Sequence, residues 1–194
     1  MQNFKTILIM IDNQVGFNTT QDTKTVGKRI VDLSNLGVFD YQIATKYVNN
    51  LKLSTNLFTR LQNWNYLTKE SEIAYVDNLK YDHSVTKYVY TAVNSELLKK
   101  LREINNNQLP QLVFLVGLDT ECCVLKTAVD FFEIGVIPVL LEFYTHSNSG
   151  IEAKNRGIAL YSRLIDKSAI ITNEIKTKDD VNQIYKQFLK YFII

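Results

Sequence analysis

The sequence predicts an α/β fold in which a mainly parallel β-sheet is covered by helices on both faces. Short apolar runs alternate along the chain with segments of helical period, which is typical of parallel strands joined by crossover helices. The first run, Ile7 to Ile11, is apolar throughout, as in strands that are buried on both faces. The 194 residues suit one domain, spanning residues 1–194, and are too few for two of ordinary size.

The first half of the chain contains three predicted strands and three predicted helices. The strands are 5–11, 41–47 and 85–89, and the helices are 25–36, 55–64 and 95–104. Val26, Ile30 and Leu33 recur at helical spacing in the first helix, and Gly37 is the expected C-cap. Residues 65–84 have weak periodicity, and we expect an irregular segment there.

The second half continues the same alternation. The predicted strands are 111–116, 136–143 and 168–172, and the predicted helices are 121–134, 150–164 and 178–191. The last helix carries an apolar stripe of Ile184, Phe188, Phe192 and Ile193. This stripe either covers the sheet or contacts a second copy of the chain.

Composition excludes several classes of protein. With 22 basic and 20 acidic residues, the net charge of +2 gives no electrostatic footprint for nucleic acid or an anionic membrane. The only cysteines are the adjacent Cys122 and Cys123, which rules out a disulfide framework and a multi-cysteine zinc site. No apolar stretch approaches the length of a membrane-spanning helix. We expect a cytoplasmic protein.

Polar residues follow the predicted strands at the edge where a ligand is expected. In open α/β sheets, ligands bind beyond the carboxyl ends of the strands. The residues found there are Asp12 and Gln14 after the first strand, Asn49 after the second, Lys87 at the third, 117–123 after the fourth and 144–149 after the fifth.

Cys123 is the strongest candidate nucleophile. It lies at the start of the predicted helix 121–134, where the helix dipole and unpaired N–H groups favour the reactive thiolate. If three strand ends bring them together, Asp12 can accept the thiol proton and Lys87 can stabilise the anion. Cys122 competes for this role, but successive helical residues point about 100° apart, so only one of the two faces the strand ends. The structural alternative is a cysteine buried in the core.

Three segments resemble motifs of the isochorismatase-like cysteine hydrolases. Segment 117–128, GLDTECCVLKTA, resembles the nucleophile motif of that family and matches Cys123, not Cys122, to its cysteine. Segment 9–17, IMIDNQVGF, resembles the Asp-x-Gln motif that follows the first strand. Segment 85–92, VTKYVYTA, resembles the lysine motif ahead of a helix. The motifs occur in the family's order.

The resemblance implies a three-layer α/β/α sandwich with a six-stranded, doubly wound parallel sheet. It also implies a catalytic triad of Asp12, Lys87 and Cys123, and a cis peptide bond between Leu118 and Asp119. The backbone N–H groups of Asp119 and Cys123 would then form an oxyanion hole. The implied activity is hydrolysis of an amide or carbamoyl C–N bond of a small molecule through a thioester, with Asp12 as base and acid. The resemblance further implies a homo-oligomer.

The sequence departs from two branches of the family. The nicotinamidase branch binds a metal through an additional Asp and several His after the second strand, whereas residues 40–84 offer only His83. We therefore predict no metal and no other cofactor. The isochorismate-cleaving branch acts on a vinyl ether and often lacks the nucleophile, so Cys123 argues against it. A catalytically silent homologue that only binds a small molecule is a further alternative.

Six residues near the strand ends and in the adjoining segments are candidates for the substrate pocket. They are Gln14, Phe17, Tyr47, Asn49, Trp64 and His146. For the aromatic residues the alternative is a position in the core or at an interface, and for His146 it is an exposed loop.

Overall fold

The computed structural model describes residues 5–52 and 56–192. Within these residues the strands are β1 (Ile7–Ile11), β2 (Tyr41–Tyr47), β3 (His83–Lys87), β4 (Leu112–Leu118), β5 (Ile137–His146) and β6 (Ile170–Ile171). The α-helices are α1 (Gln21–Asn35), α2 (Leu57–Gln62), α3 (Glu70–Ile73), α4 (Ser95–Ile104), α5 (Leu125–Glu133), α6 (Ile151–Leu164) and α7 (Lys178–Leu189). A π-helix covers Thr120–Val124, and 3-10 helices cover Val15–Phe17 and Lys167–Ala169.

The strands form one six-stranded parallel sheet in the order β3-β2-β1-β4-β5-β6. The chain adds strands outward from β1 on one side and from β4 on the other, so the strand order reverses between these two. Both are fully buried, which explains why their sequences are continuously apolar. The predicted α/β fold with a six-stranded parallel sheet flanked by helices is confirmed, and the crevice expected to hold a ligand lies beyond β1 and β4.

Two predicted boundaries in the first half of the chain are wrong. Helix α1 begins at Gln21 rather than at residue 25, because Thr20 caps it by accepting a hydrogen bond from the Thr23 N–H at 3.1 Å. Strand β3 spans 83–87 rather than 85–89. It ends at Lys87 because the following backbone turns around the ammonium group of that residue. The segment predicted to be irregular contains α3 and the first residues of β3.

The region around β4 and β5 also differs from the prediction. The single helix predicted over 121–134 is a π-helix followed by α5. Strand β5 continues to His146 rather than ending at residue 143, because pairing with β4 resumes at Gly117 after a shift in register. Both changes lie at the carboxyl edge of the sheet and shape the site described below.

The apolar stripe of the last helix is partly explained by the chain's own core. Ile184 and Phe188 are buried against the sheet, and Phe192 is half-buried. Ile193, and residue 55 at the predicted start of the second helix, lie outside the described residues. Among the described helices, none is long and apolar enough to cross a membrane.

Candidate active site

Three side chains meet at the carboxyl edge of the sheet. Asp12 follows β1, Lys87 is the last residue of β3, and Cys123 lies in the π-helix that follows β4. The Lys87 Nζ atom lies 2.7 Å from Asp12 Oδ2 and 3.4 Å from Cys123 Sγ. The exposed fractions of the three residues are 0% for Asp12, 1% for Lys87 and 4% for Cys123. The ammonium group therefore links a carboxylate and a thiol in a setting nearly free of solvent.

Asp12 is held by its backbone and by one neighbouring hydroxyl. Its φ of 52° lies in the left-handed region, which Asp and Asn enter more readily than most residues. Thr45 Oγ1 accepts a hydrogen bond from the Asp12 N–H at 3.0 Å and donates one to Asp12 Oδ1 at 2.7 Å. Because Thr45 lies in β2, the strand beside β1, the sheet itself orients the carboxylate.

Lys87 is surrounded by acceptors. Its Nζ donates to the carbonyl oxygens of Val89 and Tyr90, each at 3.0 Å, in addition to the contact with Asp12. Burial alone would lower the pKa of Lys87, but the Asp12 carboxylate and Cys123 outweigh that effect and raise it. Lys87 is therefore a fixed positive charge.

The surroundings of Cys123 favour its protonated thiol form. Burial raises the pKa of Cys123 well above its ordinary value; Lys87 opposes this effect and Asp12 adds to it. The sequence suggested a thiolate favoured by a helix N-terminus, but the π-helix buries the sulfur, and burial disfavours the charged form. Transfer of the thiol proton to Asp12 leaves the net charge of the three groups unchanged. The thiolate can therefore form within the site without releasing a proton to solvent.

The end of β5 anchors the segment that carries the nucleophile. Three residues near its end, two of them just beyond the strand, contact three consecutive residues of that segment. The pairs are Thr145 Oγ1 with Thr120 Oγ1 at 2.7 Å, Ser147 Oγ with Glu121 Oε1 at 2.6 Å, and Asn148 Nδ2 with Asp119 Oδ1 at 2.8 Å. The peptide bond between Leu118 and Asp119 is cis.

Two glycines allow close approach around the nucleophile segment. Gly117 has a φ of 132°, and a Cβ atom there would lie 2.1 Å from the Ile11 carbonyl oxygen of β1. Gly157 of α6 faces the π-helix, and a Cβ atom there would lie 2.8 Å from the Glu121 backbone nitrogen. Side chains at either position would push the segment away from the sheet or from α6.

Cys123 opens onto a cavity of about 260 Å³. Its lining residues are Phe17, Tyr47, Phe58, Gln62, Trp64, Tyr90, Asp119, Cys122, Cys123 and Ser149. Five of these ten residues are aromatic, and Asp119, Ser149, Gln62 and the two cysteines contribute polar groups. A small molecule with one reactive polar group fits such a cavity.

Of the six residues predicted to form the pocket, Phe17, Tyr47 and Trp64 line this cavity. The other three are buried behind its walls. Gln14 Nε2 donates to the carbonyl oxygens of Tyr47 and Ile73 at 2.9 and 2.8 Å, and so ties the first loop to β2 and α3.

Asn49 and His146 also lie away from the cavity lining. Asn49 Nδ2 donates to the Trp64 carbonyl oxygen at 2.8 Å, which positions the segment that carries the indole ring. His146 Nδ1 lies 3.0 Å from the Ser147 carbonyl oxygen at the end of β5. Both residues support the cavity walls.

Sequence reasoning missed several residues of the site. Phe58, Gln62, Tyr90 and Ser149 line the cavity without having been singled out, and Thr45 orients Asp12. Their roles depend on contacts between distant segments, and the sequence carries no local signal for them.

The described residues do not offer the metal ligands that the nicotinamidase branch carries. His83 lies in β3, where its Nε2 is 3.7 Å from Glu96 Oε1 on α4, and it is absent from the cavity lining. Within the described residues, no group of three or more His, Cys, Asp or Glu side chains is arranged to hold a metal ion.

Comparison with known proteins places the chain in a family of hydrolases that share this parallel α/β fold. The sequence profile of the isochorismatase domain matches residues 6–143. The chain belongs to the isochorismatase family, whose members are hydrolases. No curated protein sequence matches it.

Solved structures show the same fold. A nicotinamidase/pyrazinamidase from Bacillus subtilis is 22% identical with a TM-score of 0.70, covering 82% of this chain and 95% of its own. An isochorismatase-like hydrolase from Alkaliphilus metalliredigens is 17% identical with a TM-score of 0.67, covering 94% and 98%. N-carbamoylsarcosine amidase from Thermoplasma acidophilum is 17% identical with a TM-score of 0.65, covering 91% and 98%.

Proposed function

We propose that this chain is a cysteine hydrolase that cleaves an amide or carbamoyl C–N bond of a small molecule through a thioester. The observation that carries the proposal is the position of Lys87 Nζ, 2.7 Å from Asp12 Oδ2 and 3.4 Å from Cys123 Sγ, beside an open cavity. The names of two similar structures, a nicotinamidase and N-carbamoylsarcosine amidase, also support an amide or carbamoyl substrate.

In the first half of the reaction, Asp12 takes the proton of Cys123 and the sulfur attacks the carbonyl carbon. The backbone N–H groups of Asp119 and Cys123 donate to the oxygen that becomes negative. Lys87 stays protonated and stabilises the negative charge as it moves from carboxylate to sulfur. The tetrahedral intermediate then collapses, the C–N bond breaks, and Asp12 gives its proton to the departing nitrogen.

In the second half, water replaces the amine. Asp12, again a carboxylate, removes a proton from water, and the resulting hydroxide adds to the thioester carbon. Collapse of the second intermediate breaks the C–S bond and releases the carboxylic or carbamic acid. The sulfur recovers the proton from Asp12, which restores the resting site.

The test is release of ammonia from a panel of small primary amides and N-carbamoyl compounds by the purified, reduced protein. Hydroxylamine added to the same reactions competes with water for a thioester, so a hydroxamate is expected from an amide and hydroxyurea from an N-carbamoyl compound. Cys123→Ala is expected to abolish all of these products, whereas the matched variant Cys122→Ala is expected to retain them. If wild-type protein releases no ammonia from any member of the panel, the proposal is wrong and a silent binding protein remains. Hydroxamate formation by Cys123→Ala would exclude Cys123 as the nucleophile.

A further inference from the structure

The cavity beside Cys123 is walled by electron-rich rings. Five of its lining residues are aromatic: Phe17, Tyr47, Phe58, Trp64 and Tyr90. The rings form a connected cluster, with centroid separations from 4.7 Å for Phe58 and Tyr90 to 6.3 Å for Phe58 and Trp64. Faces of such rings attract cations, and clusters of them bind alkylated ammonium groups.

Asp119 gives this aromatic cavity a negative charge. Its Oδ1 atom accepts hydrogen bonds from the Asn148 backbone N–H at 2.9 Å and from Asn148 Nδ2 at 2.8 Å. Among the described residues Asp119 forms no ion pair, and the cavity lining contains neither lysine nor arginine. Lys87, the nearby cation, is already paired with Asp12. Within the described part of the chain, the carboxylate therefore has no positive partner.

Asp119 also lies where the cavity continues into a second one. The second cavity has a volume of about 360 Å³ and shares Phe17, Trp64 and Asp119 with the first. Thr19, Tyr66 and Asn148 contribute to its remaining wall. A substrate whose carbonyl reacts at Cys123 can thus place a second group beside Asp119.

We propose that the substrate carries an ammonium group, which the Asp119 carboxylate and the aromatic wall bind while the amide or carbamoyl group lies at Cys123. This inference rests on the proposed function and specifies its substrate class. It favours cationic amides, and it disfavours amides and N-carbamoyl compounds with a free carboxylate, because the site presents a negative charge and no basic lining residue to them.

The electrostatics of Asp119 agree with this assignment. Burial raises the pKa of Asp119 to about 6; hydrogen bonds from Asn148 oppose that effect, while the charges of Glu121 and Asp12 add to it. The half-buried carboxylate is thus held in a setting that disfavours its charge. A bound cation relieves this cost, as a neutral ligand of the same shape does not.

The test compares cationic amides with neutral amides of the same shape. The first pair is betaine amide and its tert-butyl isostere, and the second is γ-trimethylammoniobutyramide and its tert-butyl isostere. The measured quantity is the kcat/KM of the cationic amide divided by that of the neutral amide, both measured with the same protein. A substitution that weakens the oxyanion hole lowers both values equally and therefore leaves this ratio unchanged. We expect a ratio of about tenfold or more for at least one pair.

Asp119→Asn is the diagnostic variant, because its side-chain oxygen can still accept both hydrogen bonds from Asn148. It is expected to bring the ratio to about one. Glu133→Gln removes an exposed carboxylate of α5 and is expected to leave the ratio as in the wild type. A ratio of one or less for both pairs in the wild type, or a ratio that Asp119→Asn leaves unchanged, would overturn the inference.

Binding to Cys123→Ala, measured by calorimetry with the same four amides, separates the two proposals. Cation-selective binding that requires Asp119, without turnover by the wild type, supports the cation site and contradicts the proposed hydrolase. Turnover without preference for the cation supports the hydrolase and contradicts the cation site.

Discussion

At the scale of single residues, the buried pair of Asp12 and Lys87 carries a desolvation cost. Transfer of two charges out of water is unfavourable, and well-packed apolar residues of similar volume often stabilise a protein by about 1–4 kcal/mol more than a buried pair does. Lys87 compensates with two backbone acceptors and Asp12 with Thr45. Such a pair in contact with a cysteine that lines a cavity is better explained by chemistry than by stability.

Thr45 is a positioning residue for the carboxylate of Asp12. Thr45→Val removes the hydroxyl at 2.7 Å from Asp12 Oδ1 while keeping the side-chain shape. We expect kcat for ammonia release to fall about 10- to 100-fold because the base loses its orientation. The free energy of unfolding should fall by about 1–3 kcal/mol because the Asp12 N–H loses its acceptor.

Thr45→Ser restores the hydroxyl and serves as the control, measured by the same assay and by urea unfolding. Recovery of kcat by the serine variant is the expected result. A valine variant with the wild-type kcat would show that the Asp12 carboxylate needs no orienting hydroxyl.

The pKa of Asp119, raised by burial to about 6, gives a second prediction at this scale. Above that pH the carboxylate is charged and attracts a cationic amide; below it the group is neutral and the attraction is lost. The ratio of kcat/KM for cationic over neutral amide is therefore expected to be constant above pH 7 and to fall toward one below pH 6, by up to about tenfold per pH unit.

Other titratable groups face the same region: Glu121 on the π-helix, Asp12 after β1, Lys87 at the end of β3, and the two cysteines. Because both amides undergo the same reaction, titration of the catalytic groups affects numerator and denominator alike. Asp119→Asn should give a ratio that does not change between pH 5 and pH 8. A pH-independent ratio in the wild type would contradict the role of the carboxylate.

At the scale of elements, the nucleophile segment is held on two sides. The end of β5 binds it through side chains, and α6 packs against it at Gly157, where backbone meets backbone. The segment is short, so its geometry depends on these neighbours rather than on its own helical hydrogen bonds. Small shifts of α6 should therefore change the position of Cys123.

Gly157→Ala tests this dependence. The new methyl group would lie 2.8 Å from the Glu121 backbone nitrogen, so either α6 or the π-helix must shift. We expect the free energy of unfolding to fall by about 1–3 kcal/mol and kcat to fall with it. Asn155→Ala, at an exposed position of the same helix, is the control in urea unfolding and in the ammonia assay. Wild-type stability and kcat in Gly157→Ala would show that the contact has no role.

The elements also show how far sequence reasoning reaches. Short apolar runs identified the strands, because a strand that is buried on both faces is apolar at every position, as in β1. The three site residues could be named because each follows or ends a strand. The π-helix could not be foreseen, since Thr120 to Val124 carries no signal that separates it from an ordinary helix start. The contacts of Asn148 and Thr45 depend on strand order and register, which the local pattern does not encode.

At the scale of the whole molecule, the formation of a homo-oligomer remains a prediction. The apolar stripe on α7 offers little surface for contact with a second copy, because Ile184 and Phe188 are buried in the chain's own core. Exposed apolar side chains remain on and near α2, where Leu57, Leu61 and Tyr66 are 55%, 78% and 64% exposed. Apolar groups that cluster on a surface often mark an interface.

We expect a homo-oligomer in solution, with this α2 surface in contact. Size-exclusion chromatography with light scattering should give a multiple of the monomer mass for the wild type. Leu61→Glu should shift that mass toward the monomer, since a buried charge at an interface is unfavourable. Lys99→Glu, an exposed change on α4, is the control for altered charge. A wild-type mass equal to one chain would contradict the prediction.

The aromatic wall has a spectroscopic consequence. Trp64 is the only tryptophan of the chain, and its ring lies 5.2 Å from that of Tyr47 and 6.0 Å from that of Phe17 at the junction of the two cavities. The intrinsic fluorescence of the protein on excitation of tryptophan therefore originates at the candidate site alone. A ligand that enters the cavity changes the polarity around this single tryptophan. The fluorescence of the unlabelled protein therefore measures whether the cavity is occupied.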